Sequence, residues 1–221
     1  MDDAEAHHLG RVLRLRDGEA VRAADGRGGA RSCVLRTAGR DVRLEPCGPV
    51  CHADAPAPGV AVAFPLLKAD RTSWAVQKLT ELGVDRMVPL VAARSVVRTG
   101  GGPTGDGPKW TDRMERVVRS AAAQSRRLWL PEVSSPTTLS DLAGYEPVVV
   151  AHPGGGPLSG ADRLVAVGPE GGWDSSELLL AAAKVGLGPT VLRAETAAVA
   201  AATLLCGIRS GLVRPATTGG G

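Results

Sequence analysis

Two glycine-bearing loops close to the C-terminus constrain this chain more than any other feature. Gly168-Pro169-Glu170-Gly171-Gly172 follows the apolar run Leu164-Val165-Ala166-Val167. Leu187-Gly188-Pro189 leads through Thr190-Val191-Leu192 into Arg193-Ala194-Glu195-Thr196-Ala197. Each reads as strand, sharp turn, helix, and a turn stripped of side chains lets backbone amides approach a ligand closely. Neither loop fits a common nucleotide template. No GxGxxG follows a first strand and no P-loop pattern occurs, so dinucleotide and P-loop readings fail.

The segments around these loops alternate. Buried strands are predicted at Val60–Phe64, Arg86–Val91, Val148–Ala151 and Leu164–Val167. A helix capped by Ser73 is predicted to run to Leu82, with Trp74, Leu79 and Leu82 facing inward and Gly83 as its stop. After a glycine-rich break at Gly100–Gly107, a second helix spans about Trp110 to Arg127; there Trp110, Met114, Val117, Val118, Ala121 and Ala122 keep helical spacing. Asp174 and Glu177 form a capping box that opens a helix ending near Gly186. The last helix, Ala197–Leu212, is apolar nearly all round and must be buried. Strand–helix alternation of this kind argues for a parallel α/β sheet. The N-terminal part reads differently. Short strands at Arg11–Leu15, Ala20–Ala23, Arg31–Leu35 and Asp41–Leu44, separated by glycine turns, indicate a small β-barrel. The proline-bearing stretch Pro46–Gly59 reads as a linker, which places a first domain at 1–52 and a second at 59–217.

Composition narrows the function. Apolar residues make up 43% and charged residues 22% of the chain, as in an ordinary globular protein. With four Trp, one Tyr and one Phe, the core must be built from Val, Leu and Ala, and stacking platforms for single-stranded RNA are few. The net charge of +3 is unevenly spread. Residues 60–130 carry 12 basic and 6 acidic side chains, whereas residues 131–221 carry 5 and 8. A polyanionic partner is therefore expected at the middle segment, although a solvated charged face would look the same. The four cysteines, Cys33, Cys47, Cys51 and Cys206, lack the paired spacing of a zinc site or a disulfide framework; no metal is expected, and the thiols read as reduced. The acidic, polar N-terminus carries no signal-peptide pattern, and no apolar run is long enough to span a membrane, so a cytoplasmic protein is expected.

GPEGGW with Ser175 and Glu177 behind it, then LGPTVLRAETA, resembles the C-terminal signature of the SPOUT class of RNA methyltransferases. Within that class the chain is similar to the bacterial 16S rRNA (uracil-N3)-methyltransferase family. His8-Leu9-Gly10-Arg11-Val12-Leu13-Arg14 resembles that family's opening block. Gln77-Lys78-Leu79-Thr80-Glu81-Leu82-Gly83-Val84, with Pro89 and Arg94-Ser95, resembles its central block, and Gln124-Ser125 with Arg127 and Pro131 a third. The blocks stand in the family's order and span most of the chain. The resemblance implies a trefoil-knotted parallel sheet behind a PUA-like barrel, a homodimer, and S-adenosylmethionine as cofactor. The implied reaction is methylation of a uridine imino nitrogen in 16S rRNA of the small ribosomal subunit. Because the chain opens almost at the family's first block, the barrel strand preceding that block is expected to be missing.

From the resemblance, the cofactor would lie against Ala151, His152, Val167, Gly168, Pro169, Glu170, Gly171, Gly172, Leu187, Gly188, Leu192, Arg193, Thr196 and Ala197. The glycines would serve tight turns equally well. Methyl transfer from a sulfonium depends on positioning, but the imino proton must be accepted or the developing anion stabilised. No His–carboxylate pair offers itself as a base. Arg94, Arg127 and Arg193, each in a family-like block, are the cationic candidates. For RNA the candidates are Arg11, Arg14, Lys68, Arg71, Arg116, Gln124 and Arg127; Arg116, Ser120, Gln124 and Arg127 share one helix face, which as a plain solvated face would look no different. Lys78 and Glu81 read as a local surface pair, and Arg193 and Glu195 either pair or cap the last helix. Two other functions remain open on sequence: a SPOUT methyltransferase acting on ribose 2′-hydroxyls of another RNA, and a non-catalytic RNA-binding or ribosome-assembly protein.

Overall fold

The structure, a computed structural model, describes residues 16–39, 41–67, 70–95 and 108–214. Arg11, Arg14 and Lys68, the strand expected at Arg11–Leu15 and the glycine-rich break lie outside the described residues. The chain divides into two compact units, Met1–Ala55 and Pro56–Gly221.

In the first unit, β1 (Ala20–Ala24), β2 (Gly29–Ala38), β3 (Asp41–Pro46) and β4 (Cys51–His52) form an antiparallel sheet in which β2 pairs with the other three. Alternation sorts β2, leaving Cys33 and Leu35 buried, Val34 half-buried and Ser32 and Arg36 outward. The β1–β2 turn is closed by Asp25, whose Oδ1 accepts the amides of Arg27 (2.7 Å) and Gly29 (2.9 Å). These bonds to the ionised form hold the Asp25 carboxyl below its ordinary pKa. The stretch read as linker supplies β4. Pairing of Cys51 and His52 with the amides and carbonyls of β2 outweighs the local proline signal.

The second unit is built on a six-stranded parallel sheet. Its strands are β5 (Ala61–Pro65), β6 (Arg86–Leu90), β7 (Glu132–Val133), β8 (Val149–Gly156), β9 (Leu164–Ala166) and β10 (Ala183–Val185), in the order β10-β8-β9-β5-β6-β7. β5 lies at the centre and is buried throughout, as a continuous apolar run in a sheet covered on both faces should be. Val60, Val62 and Phe64 enter one core with Val165 and Val167, while Ala61 and Ala63 enter the other with Leu164 and Ala166. The first core is closed by α1 (Arg71–Leu82), α2 (Pro108–Ser125) and α5 (Ala194–Arg209); α3 (Leu139–Tyr145) joins the second, and α4 (Ser175–Leu179) follows β9.

The helices start and stop for local reasons. Gly83 ends α1 in the left-handed region at φ 100°. α1 begins earlier than the Ser73 cap implied, behind Asp70, and Trp74 is 43% exposed instead of facing the core. On α2, Met114, Val118, Ala121 and Ala122 are buried, as their spacing predicts. Its end is a Schellman turn: Arg126 sits at φ 58°, its amide donating to Ala123 O, and the Arg127 amide donates to Ala122 O. The capping box at Asp174 and Glu177 is present, but α4 stops at Leu179. The alanine-rich stretch beyond it, read as more helix, forms β10, because pairing with β8 overrides helix propensity. α5 buries one face, Ala194, Ala197, Ala198, Ala201, Ala202 and Leu205, while Thr203 is exposed; Leu212 lies beyond its end and is 85% exposed. The helix is therefore not covered on all sides within its own unit.

Candidate active site

The C-terminal ends of parallel strands are where α/β sheets bind ligands, because the loops diverge there and helix N-termini point inward. Here three loops at that edge enclose a cleft of about 390 Å³, within the range of small-molecule sites. Ala151, His152 and Pro153 come from β8. Val167, Gly168, Pro169, Glu170, Gly172 and Trp173 follow β9. Leu187, Gly188, Thr190, Val191 and Leu192 precede α5, which adds Ala194 and Ala197.

Trp173 fastens the first two loops together. Its indole Nε1 donates to Ala151 O at 3.0 Å, and the ring is buried. A Cβ on Gly168 would stand 3.0 Å from the Trp173 ring, so glycine is what lets the ring lie against the backbone. Gly171 has a different role. Its Cβ would meet Arg94 Cβ at 3.1 Å and Arg94 O at 3.2 Å, on the side of the loop away from the cleft. Behind the loop, Glu177 is buried and accepts the amides of Ala93 and Asp174, each at 2.9 Å. Asp174 accepts from Ser176 and pairs with Arg94, which holds its carboxyl below the ordinary value.

Of the expected cofactor contacts, Gly171, Arg193 and Thr196 do not line the cleft; the other eleven do. Pro153, expected with His152 as a third edge of the pocket, lines it too, and Trp173, Thr190, Val191 and Ala194 line it without having been singled out. Trp173 had a signal, as the residue closing GPEGGW, but only the fold shows that its indole reaches back to β8. Among the described residues, no group of three or more His, Cys, Asp or Glu side chains could hold a metal.

The cations separate sharply. Arg127 is a structural residue: its side chain is 11% exposed and donates to Thr80 O (3.0 Å), Val84 O (2.7 Å) and Asp85 Oδ1 (3.3 Å). Those partners lie at the N-terminal edge of the sheet, opposite the cleft. Burial lowers its pKa against the pull of Asp85. Asp85 also accepts from Val60 N (2.9 Å) and Arg209, so the roles foreseen for Arg127 in catalysis and RNA binding give way to anchoring. Arg94 braces the 168–172 loop from outside, through Gly171 O (3.4 Å) and Asp174 (3.3 Å). Arg193 is the exposed N-cap residue of α5, and no side chain caps the helix there. Glu195 pairs not with Arg193 but with Arg71. Arg71, expected at an RNA phosphate, stands near Glu195 (3.4 Å) and Glu170 (3.8 Å) and keeps 42% of its side chain exposed. Arg116 and Gln124 are exposed on α2, and Lys78 pairs with Glu81 at 2.9 Å as read from sequence.

A family described as an RNA methyltransferase domain matches residues 55–206, and one described as an RNA methyltransferase PUA domain matches residues 1–42. The ribosomal RNA small subunit methyltransferase E of Mycobacterium bovis is 34% identical over 226 residues, covering 91% of this chain and 83% of that protein. The chain belongs to the ribosomal RNA small subunit methyltransferase E family. Solved structures agree. A methyltransferase E from Neisseria gonorrhoeae bound to S-adenosyl methionine superposes with a TM-score of 0.77 at 26% identity, covering 99% and 92% of the two chains. A probable rRNA-methyltransferase from Porphyromonas gingivalis gives 0.78 at 28%, covering 96% and 94%. The chain has the parallel sheet and N-terminal PUA domain that the resemblance implied.

Proposed function

We propose that this chain methylates the N3 imino nitrogen of a uridine in 16S rRNA of the small ribosomal subunit, using S-adenosylmethionine held in the cleft of β8, β9 and α5. The observation that carries this is the cleft itself, formed by three backbone-rich loops at the C-terminal edge of the sheet in a chain matched along most of its length by the family. The residues fit the cofactor. Gly168 keeps the backbone close to the Trp173 ring, a cradle that a side chain would fill. Val167, Trp173, Ala194 and Ala197 offer apolar walls that exclude water, and backbone groups of the three loops orient without charge. When bound, S-adenosylmethionine supplies an electrophilic methyl group on a positively charged sulfur. The chain contributes position above all, since a fixed near-attack geometry supplies much of the rate in such transfers.

His152 adds a polar group of defined orientation. Its Nδ1 lies 2.7 Å from Pro153 O, and a carbonyl only accepts, so Nδ1 carries the proton. In the neutral ring Nε2 is then left as an acceptor. The exposed basic side chains of α2, Arg116 and Arg119, are the RNA contacts in this reading, together with the PUA unit. The face of α5 that its own sheet leaves open would pack on a second copy as an isologous dimer. Among the described residues no helix is long and apolar enough to cross a membrane, which suits an enzyme working on ribosomes in the cytoplasm.

The test is methyl transfer to unmodified small subunits followed by nucleoside analysis. N3-methyluridine in the digest is the expected product. A ribose-methylated nucleoside, or cofactor binding by calorimetry without any transfer, would overturn the reading. Sedimentation at micromolar concentration tests the assembly, and a fully active monomer near 22.6 kDa would rule the dimer out.

A further inference from the structure

The reaction proposed above leaves a charge to be stabilised, and among the described residues Arg71, beside the cleft-lining Glu170, is both restrained and free to donate. Arg71 is the first residue of α1, at the edge of the sheet where the cleft opens. Its Nη1 is held by Glu195 Oε1 on α5 at 3.4 Å and lies 3.8 Å from Glu170 Oε1, on the loop that lines the cleft. Carboxylates on two separate elements thus converge on one nitrogen of the guanidinium. Glu195 is only 12% exposed, and its Oε2 is buried without a hydrogen-bond partner among the described residues. A carboxylate so enclosed does not swing away, and it gives the arginine a fixed partner. Arg71 itself stays 42% exposed. Of the five N–H donors of a guanidinium, those on Nε and Nη2 make no hydrogen bond among the described residues.

A charge fixed beforehand, with unspent donors, stabilises a developing anion without reorganising. Arg94 braces the loop from outside the cleft, and two further cations lack one half of that description. Arg127 has its donors occupied at the far edge of the sheet, and Arg193 is exposed with nothing restraining it among the described residues. We propose that Arg71, oriented by Glu195 and Glu170, is the catalytic cation that stabilises the N3-deprotonated uracil ring through O2 or O4. This rests on the N3 reading above. In the step, the N3–H bond breaks and the proton passes to water at the open mouth. The N3 lone pair forms the new bond to the methyl carbon, and the carbon–sulfur bond breaks with its electron pair left on sulfur. Sulfonium and uridine become thioether, N3-methyluridine and a proton.

The test compares wild-type with Arg71→Gln and Arg71→Lys under single-turnover conditions, on small subunits carrying uridine or 5-fluorouridine, whose imide is more acidic. Arg71→Gln should slow transfer by about a hundredfold near neutral pH. Cofactor and RNA dissociation constants, read by calorimetry and filter binding, should stay within about threefold, because the interaction belongs to the transition state. The loss should shrink at least tenfold on 5-fluorouridine substrate, and it should shrink as pH rises, where the ring ionises without help. Arg71→Lys keeps the charge but not the fork, and should show the same pattern at smaller size, which covers the case of an Arg71→Gln chain that fails to fold. Equal losses on the two substrates would overturn the proposal, as would a loss carried by RNA affinity. A wild-type product other than N3-methyluridine would instead sink the functional reading, independently of Arg71.

Discussion

Gly168 and Gly171 belong to one motif and look interchangeable on paper, yet they do different work. The Gly168 position faces the Trp173 ring at 3.0 Å, and the Gly171 position faces the Arg94 backbone outside the cleft. Overpacking of this kind costs about 1–3 kcal/mol. Gly168→Ala should therefore push the indole toward the ligand space and weaken cofactor binding by roughly tenfold or more, since about 1.4 kcal/mol is tenfold. Calorimetry checks this, and an unchanged Kd with an unmoved Trp173 would refute it. The motif made the loop legible, but not which glycine faces the ligand, because that depends on Arg94, which is remote in sequence. Arg127 shows the same limit more severely. Its spacing put it on a helix face with Arg116 and Gln124, and only the left-handed Arg126 before it turns the side chain inward to Asp85.

At the scale of elements, local signals served well where one strong rule acted alone. Gly83 stops α1, Asp174 and Glu177 start α4, and the apolar runs of β5 and β9 are strands. They failed where tertiary pairing competed with propensity. Ala181-Ala182-Ala183 reads as helix, yet Ala183 pairs with Val149. Cys51 and His52 sit among prolines, yet they pair with β2. The end of α2 is strained in a way that can be relieved. Arg126 occupies the left-handed region, which costs a side-chain-bearing residue about 1–2 kcal/mol. Glycine would remove that cost and lose about half of the gain to extra freedom in the unfolded chain. Arg126→Gly should stabilise the chain by roughly 0.5–1 kcal/mol, read from urea unfolding at constant slope. A loss of stability would mean that the Arg126 side chain makes contacts outweighing its backbone strain.

Across the whole molecule, the charge asymmetry of residues 60–130 was visible in the sequence, but not which charges remain available. Arg127 is engaged within the fold and Arg71 is held beside the cleft, whereas Arg116 and Arg119 are exposed on α2. Replacing Arg116 and Arg119 by Gln should lower the slope of log K for RNA against log salt by about 1.4, at roughly 0.7 per phosphate contact with single strands. Cofactor affinity should not change. A slope unaltered by both substitutions would reduce the α2 surface to a solvated face. The far edge of the sheet carries a different kind of consequence. Asp85 receives Arg127 from the end of α2 and Arg209 from the end of α5, and these two arginines also hold carbonyls at the end of α1. Three helices that share one anchor do not open one at a time. Amide hydrogens in their last turns should exchange with solvent through a single common opening, not three separate ones. Arg127→Met should cost about 3 kcal/mol by leaving Asp85 partly unpaired. It should also uncouple α2 from that opening, while α1 and α5, still joined through Arg209, continue to exchange together.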